Sequence, residues 1–313
     1  MSASAVPVAG AQAARGGGTR PRAGNRGDGL VERYFRVHTG LVYLFLYLPI
    51  LVVIVFAFNA TDTRVTLWRG FSPKWFGIAL TDPVVQKYVL NSFIVAVPNA
   101  ILATLFGTMA ALGLQRVGKR VRLAFDALTY VSVIVPEIVI ALATLVLFAT
   151  SFDAIEAFFG VGRPGFGFHT IIAAHMLFNI SLVLLLVRAR LSTMDRTHVE
   201  ASYDLFAPPW PTFRQITLPQ LLPAIMAGFL LSFTFSFDDY VITTFTSGPG
   251  STTIPLYIFG AIKKGVTPET NAVATMMLIL TLALLALGQW ILGRQSRRQG
   301  GSESMTGIII DQS

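Results

Sequence analysis

Three carboxylates stand inside stretches that are otherwise apolar: Glu137 in a run over about 123–149, and Asp238 and Asp239 in a run over about 220–245. An ionised group at a bilayer centre costs about 2.5–3.5 kcal/mol on insertion scales, so such groups face a bundle interior or a water-filled cavity. Glu137 lies 15 residues beyond Arg122, and Asp238 lies 15 residues beyond Pro223, both starting points near one membrane edge. At 1.5 Å per residue both carboxylates are about 22 Å in. Equal depth on two helices is what a shared site needs. No Lys or Arg lies at that depth in any apolar run, so the chemistry indicated is contact with a cation in transit. Neighbours on a helix point about 100° apart, so Asp238 and Asp239 cannot both face one cavity squarely. One of them can instead bond a neighbouring helix, with Asn91, Asn99, Asn179 or Ser236 as partners. Asp126, close to the edge, reads as structural.

Catalysis is not indicated. There is no G-x-x-x-x-G-K-[ST] phosphate loop, no nucleophile elbow and no histidine paired with a carboxylate. The chain has no cysteine, which excludes disulfides, thiolate zinc and thiol chemistry. His38, His169, His175 and His198 are scattered, so no metal site is expected. The chain is read as no enzyme, binding no cofactor of its own. If ATP drives it, another chain binds the nucleotide.

These carboxylates need a scaffold, and composition defines it. With 53% hydrophobic and 13% charged residues and a mean hydropathy of +0.64, the 313-residue chain is an integral membrane protein. Six windows reach the ~20 apolar residues that a spanning helix needs, at about 40–60, 88–114, 123–149, 169–188, 220–245 and 271–293. The expected fold is all-α with six transmembrane helices, and no repeat of 20–50 residues is visible. Ala103, Gly107 and Ala111 recur every fourth residue in the second window, a spacing that lets another helix approach closely. Pro49, Pro98, Pro136 and Pro223 inside the windows read as kinks or close-packing points rather than breaks.

The net charge of +8 would point to nucleic acid in a soluble protein. Here the basic residues sit at membrane edges, so lipid is the expected partner and nucleic acid is not. Of the 24 Lys and Arg, 17 fall in the N-terminal tail, 114–122, 188–219 and the C-terminal tail. The positive-inside rule therefore puts these segments, and both termini, in the cytoplasm. Residues 1–37 form a basic tail expected to be disordered, 38–295 the membrane domain, and 296–313 a second cytoplasmic tail. No secretory signal is expected, because the first apolar run follows a long polar tail and is too long for one.

The cytoplasmic segment 189–219 contains the stretch Glu200–Pro219, EASYDLFAPPWPTFRQITLP, which carries Tyr203, Phe206, Trp210 and Phe213 beside Glu200, Asp204 and Arg214. A loop that only joined two spans would not need four aromatics; two short helices docking on a protein partner would. Its prolines put a turn at Ala207–Pro211 and open the next long helix at Pro219. On the other side, 61–87 carries Trp68, Phe71, Trp75 and Phe76, read as an interfacial aromatic belt ahead of a docking surface. Residues 246–270 pair SGPGSTT with an apolar helix, suited to a lid or a platform for an external protein.

Glu200-Ala201-Ser202, followed at the proper offsets by Ile216, Leu218 and Pro219, resembles the E-A-A…G…I-x-L-P signature of ABC-importer permeases. Phe206 stands at the signature's glycine, and Ser202 at its second alanine. PEIVIALATLVLF (Pro136 to Phe148), FTFSFDDYVITTFTSGPGSTTIPLYIF (Phe233 to Phe259) and KKGVTPETNAVAT (Lys263 to Thr275) are similar to the second permease of spermidine/putrescine importers. The resemblance covers roughly 40–295. It implies a type I importer permease with a cytoplasmic coupling helix in the inner membrane. The implied partners are a homologous permease, two ATPase subunits using ATP and Mg, an external substrate-binding protein and a small cationic substrate. Glu200, Ala201, Ser202, Asp204, Phe206, Ile216, Leu218 and Pro219 would contact the ATPase. Ser247, Gly248, Pro249, Gly250, Lys263 and Lys264 would face the binding protein. Glu137, Asp238, Asp239, Asn91 and Tyr240 would line the substrate path. For Phe206 the favoured account is that the turn has shifted onto Ala207–Pro211. The alternative is that Phe206 fills a pocket on the ATPase. Other readings are a related importer for ferric iron, a phosphonate or thiamine, or a proton-coupled carrier working alone.

Overall fold

The structure, a computed structural model, describes residues 26–62, 67–160 and 162–310. Most of the expected N-terminal tail, and residues 311–313, lie outside the described residues. The chain divides into two compact units, Met1–Leu51 and Val52–Ser313.

Every described long element is a helix. In chain order they are α1 Arg26–Phe56, α2 Lys74–Thr81, α3 Pro83–Gly113, α4 Lys119–Ile134, α5 Glu137–Phe159, α6 Phe168–Thr193, α7 Thr197–Asp204 and α8 Pro209–Thr212. A π-helical segment Phe213–Thr217 then leads into α9 Leu218–Phe237, α10 Val241–Thr246, α11 Ile254–Lys264 and α12 Pro268–Ile310. Residues 26–37, assigned to the tail from sequence, form the first turns of α1, and α12 continues through most of the expected C-terminal tail.

Among the described residues, six segments are long and apolar enough to cross a membrane: Glu32–Phe56, Pro83–Gly113, Glu137–Phe159, Phe168–Thr193, Pro209–Phe237 and Pro268–Trp290. Two expected windows are interrupted. The window 123–149 splits into α4 and α5 at Val135–Pro136, where Val135 (ψ 131°) and Pro136 (ψ 136°) are extended. Proline denies the preceding residue the helical region, so Pro136 is a break and not the kink expected. Pro49, Pro98 and Pro223 lie within continuous helices. The window 220–245 ends as a helix at Phe237 and restarts at Val241.

In the unit Val52–Ser313 the core is the junction of α3, α6 and α9. Ala111 and Leu114 of α3 pack with Val183, Leu184, Val187 and Leu191 of α6 and Leu221 of α9. Ala103, Gly107 and Ala111 are buried along one stripe of α3. A methyl group on Gly107 would sit 2.7 Å from the Cβ of Val183 and 2.9 Å from the carbonyl oxygen of Ile180. The small-residue ladder thus sets the α3–α6 approach, since no side chain intervenes where the backbones meet. At the opposite end of this bundle, Phe93 packs with Phe233 and Phe237 of α9.

The loop after α1 is a knitted unit and not simply a belt. Asn59, fully buried, donates to the Leu67 carbonyl (2.8 Å), accepts from the Arg69 amide (2.9 Å), and its own carbonyl accepts from the Trp75 indole (2.9 Å). Phe58 stacks between Phe71 and Phe76. Trp75 is buried, while Trp68 and Phe71 stay exposed.

Gly107→Ala should lower the thermal stability of the detergent-solubilised protein by about 1–3 kcal/mol, the usual cost of overpacking. Gly113→Ala meets open space and should leave the melting temperature unchanged. Adding Val183→Ala to Gly107→Ala should recover part of the loss; equal melting curves for Gly107→Ala and the parent would contradict this packing.

Candidate functional site

The site is built on the two helix breaks. Asp238 takes the position that closes α9 (φ −92°, ψ −1°). Asp239 provides the reason the chain restarts as α10. Its carboxylate accepts from the backbone amides of Ile242 (3.3 Å) and Thr243 (2.7 Å) and from the Thr243 hydroxyl (2.7 Å). A side-chain acceptor at a helix start satisfies amides that have no partner within the helix. A further bond comes from α6, where His175 Nε2 lies 3.0 Å from the same carboxylate. His175 Nδ1 lies 2.7 Å from the Ser236 hydroxyl of α9. With Nε2–H donating to Asp239, Nδ1 accepts from Ser236, so one ring ties α6 to both sides of the break.

This corrects two expectations. A histidine does pair with a carboxylate here, and Asp239 does not lack an internal partner. The sequence signal was present: His175 is the one histidine well inside an expected span, and Asn179 follows it by one helical turn on the same face. What sequence did not supply was the spatial pairing with a residue 64 positions away.

Glu137 is the first residue of α5, directly after the Pro136 break. Its carboxyl group shares a cavity with that of Asp239, and a proton or a cation offsets the repulsion of two such groups. Both line a cavity of about 210 Å³ together with His175, Asn179, Phe178 and Phe235. The Asn179 side-chain oxygen is buried and has no hydrogen-bond partner among the described residues. Phe178 and Phe235 meet edge to face at 5.5 Å. No Lys or Arg lines the cavity. Beside the aliphatic Val133, Val135, Ile140 and Ile242, the walls offer oxygen acceptors and aromatic rings, a combination that suits a cationic donor.

Asp238 points elsewhere. It is exposed and accepts from the Thr281 hydroxyl of α12 at 3.2 Å. The angular separation of neighbouring residues thus appears as two directions, Asp239 toward α6 and Asp238 toward α12. Asn91 and Tyr240, grouped with the carboxylates from sequence, do not line the cavity. The Asn91 amide donates to the carbonyls of Gly250 (3.0 Å) and Thr252 (2.8 Å), pinning the loop before α11. Tyr240 stacks on Phe259 with centroids 3.8 Å apart. In that loop a methyl group on Gly248 would fall 1.8 Å from the Phe166 carbonyl oxygen, so only glycine fits. Ser251 accepts from the Gly248 amide (2.8 Å), while Pro249, Gly250, Lys263 and Lys264 are exposed and Ser247 is half-buried. Asp126 pairs with Arg188, joining α4 to α6 in a structural role.

The stretch from Glu200 to Pro219 folds as α7, α8 and the π-helical segment. Ahead of it, Asp195 accepts from the Thr197 amide (2.9 Å), and bonding to Thr197 holds its carboxyl below the usual range. Glu200, Ala201 and Asp204 are exposed on α7. Ser202 is buried, with its hydroxyl 3.1 Å from that of Thr212, which fastens α7 to α8 and gives the serine a purpose. Ile216 lies in the π-helical segment, and Leu218 and Pro219 open α9. Pro219 has no amide hydrogen, and its ring crowds the preceding turn; the widened π-helical turn falls just where that crowding acts.

Phe206 corrects the expectation of a shifted turn. It lies at φ 58°, the one non-glycine residue at positive φ among those described. The Ala207 amide bonds the Ser202 carbonyl (3.0 Å) and the Phe206 amide bonds the Tyr203 carbonyl (2.9 Å). That pair of bonds is the helix-ending turn that normally recruits glycine. The turn has stayed in place, and phenylalanine bears a left-handed conformation costing roughly 1–2 kcal/mol.

Six apolar spans among the described residues, two helix breaks around acidic groups and a fastened helical loop are the marks of a membrane transport subunit. The chain belongs to the family of binding-protein-dependent transport system inner membrane components, whose pattern matches residues 103–301. It is 37% identical over 261 residues to the putrescine transport system permease protein PotI of Escherichia coli K12, covering 83% of this chain and 90% of that protein. It is 36% identical over 251 residues to the spermidine/putrescine transport system permease protein PotC of Haemophilus influenzae, covering 80% and 93%. Its fold matches a chain of a bacterial ABC transporter involved in the import of the acidic polysaccharide alginate, with a TM-score of 0.69, 14% identity, and coverage of 86% of this chain and 99% of that one. The protein is thus a multi-pass permease subunit and not an enzyme.

His175→Ala leaves a buried Asp239 short of one charge-assisted bond and should lower stability by about 1.5–3 kcal/mol. Melting of the purified protein in detergent reads this directly, and an unchanged midpoint would show that the His175–Asp239 bond does not hold the break.

Proposed function

We propose that this chain forms half of the translocation path of an ATP-driven importer for polyamines, with Glu137 as the principal cation ligand. The observation that carries this reading is the 210 Å³ cavity, whose polar lining is Glu137, Asp239, the unpartnered oxygen of Asn179 and His175, with no Lys or Arg. An ammonium group has three hydrogens to donate and no acceptor. Glu137 supplies the charge, Asn179 a neutral acceptor, and Phe178 and Phe235 aromatic surface. Asp239 already receives four donors and serves to position α10 and His175 beside the bound cation. Asp238, exposed and bonded among the described residues to Thr281 alone, provides a second acidic station on the α12 side. The names of the similar permeases, for putrescine and for spermidine/putrescine, support the same substrate class. An acidic lining disfavours a phosphonate.

In this reading both termini and the loop Glu200–Pro219 are cytoplasmic, as the distribution of Lys and Arg favours. A homologous permease completes the path, and two ATPase subunits, using ATP and Mg, engage α7 and α8 around Glu200. An external binding protein delivers the substrate to the segment Ser247–Lys264, where Pro249, Gly250, Lys263 and Lys264 are exposed. The pinning of that segment by Asn91, next to Ser92 on α3, links the delivery surface to the bundle.

Uptake of labelled putrescine and spermidine by cells or proteoliposomes carrying the full transporter tests this. Glu137→Gln should reduce uptake at least tenfold while the complex still assembles, and Asp238→Asn should reduce it less. Full uptake by both variants would sink the cation-path assignment. Uptake that persists without any ATPase and collapses with the proton gradient would point instead to a carrier working alone.

A further inference from the structure

Three of the buried side-chain oxygens where α3, α6 and α9 meet have no hydrogen-bond partner among the described residues: Asn99 Oδ1 on α3, Asn179 Oδ1 on α6 and Ser232 Oγ on α9. The residues are 0%, 2% and 0% exposed. A buried polar atom left unpaired costs about 1–3 kcal/mol, so three of them in one place point to a hydrogen-bonding task that involves all three.

The contacts on either side put them at one level. His175 of α6 bonds Ser236 of α9. Two turns along, Val183 of α6 lies against Gly228 of α9, its Cγ1 3.2 Å from where a methyl group on that glycine would sit. Asn179 is four residues from both His175 and Val183, and Ser232 is four residues from both Ser236 and Gly228. Residues four apart share a helix face, so Asn179 and Ser232 stand opposite each other between those two contacts. Asn99 joins them from α3, its amide donating to the Ser232 carbonyl at 3.3 Å. Of the three, Asn179 alone also lines the cavity that holds Glu137 and Asp239. An asparagine side chain carries an acceptor at one end of its amide and two N–H donors at the other. With its oxygen toward the cavity, the Asn179 N–H groups turn inward, to the level where Ser232 Oγ and Asn99 Oδ1 stand without donors.

We propose that Ser232 and Asn99 are positioning residues for the cation site: they accept from the Asn179 amide and so hold its oxygen turned into the cavity beside Glu137. This rests on the reading of the cavity as the cation path, and it adds to that reading a neutral acceptor of fixed direction. Without the two inner acceptors, the Asn179 amide can turn over and present its N–H groups to the cavity. An ammonium group only donates, so a donor facing it is repulsive where an acceptor would bind. Preference for a cationic donor thus depends partly on two side chains that do not line the cavity. The opposite helix supplies a contrast: Asp239 is held by His175 and Thr243 and keeps its direction unaided by this layer.

A double-mutant cycle tests this, read as equilibrium binding of labelled putrescine to the assembled transporter in nanodiscs. Ser232→Ala should weaken binding about two- to tenfold, the span of one hydrogen bond, and Ser232→Thr, which keeps the hydroxyl, should restore it. In an Asn179→Ala background Ser232→Ala should change binding by less than about 1.5-fold, because no amide is left to orient. Binding by Ser232→Ala as tight as the parent's would overturn the positioning role and leave the cavity reading intact. So would an equal loss with and without Asn179, which is what a general effect on packing produces. Asn99→Leu, taken through the same cycle, decides the matter if Ser232→Ala does not assemble. A parent complex that binds no putrescine, or a Glu137→Gln complex that binds it as tightly as the parent, would overturn the underlying reading instead.

Discussion

The bond between His175 and Asp239 is the interaction on which the interior depends. A helix that stops inside an apolar run leaves backbone groups without partners, and hydrocarbon supplies none. At the end of α9 the chain meets that demand with one carboxylate, which caps α10 and accepts from α6. The buried charge and the unsatisfied amides, each costly alone, cancel one another. The same ring reaches Ser236 before the break, so α6, α9 and α10 are locked at one point. Everything polar in the cavity is arranged around that point.

The Pro136 break has a complementary role. It ends α4 without a capping side chain and starts α5 with Glu137 at its N-terminus, where the helix dipole favours a negative group. One break therefore fixes a carboxylate in a saturated network, and the other presents a carboxylate to a cavity. The small residues of α3 serve both indirectly. By letting α3 and α6 touch at Gly107 and Val183, they set where the α6 residues His175 and Asn179 stand.

The loop Glu200–Pro219 obeys a different economy. Its polar contacts are short-range, and Leu205, Phe206 and Trp210 face outward.

By itself the sequence determined the class, the number of spans, the close approach along Ala103, Gly107 and Ala111, and the location of acidic groups inside apolar runs. These follow from composition and periodicity, which are local properties of the chain. It also marked Phe206 as standing where a turn prefers glycine. Tertiary structure decided which carboxylates share a cavity, because depth along a helix does not fix direction around it. It decided that Asn91 binds the loop before α11, that Tyr240 stacks on Phe259, and that Asp238 and Asp239 diverge. It decided that Pro136 breaks its helix while Pro98 and Pro223 do not, since a kink or a break depends on what receives the freed backbone groups. The pairing of His175 with Asp239 joins residues on separate helices, and only folding could bring them together.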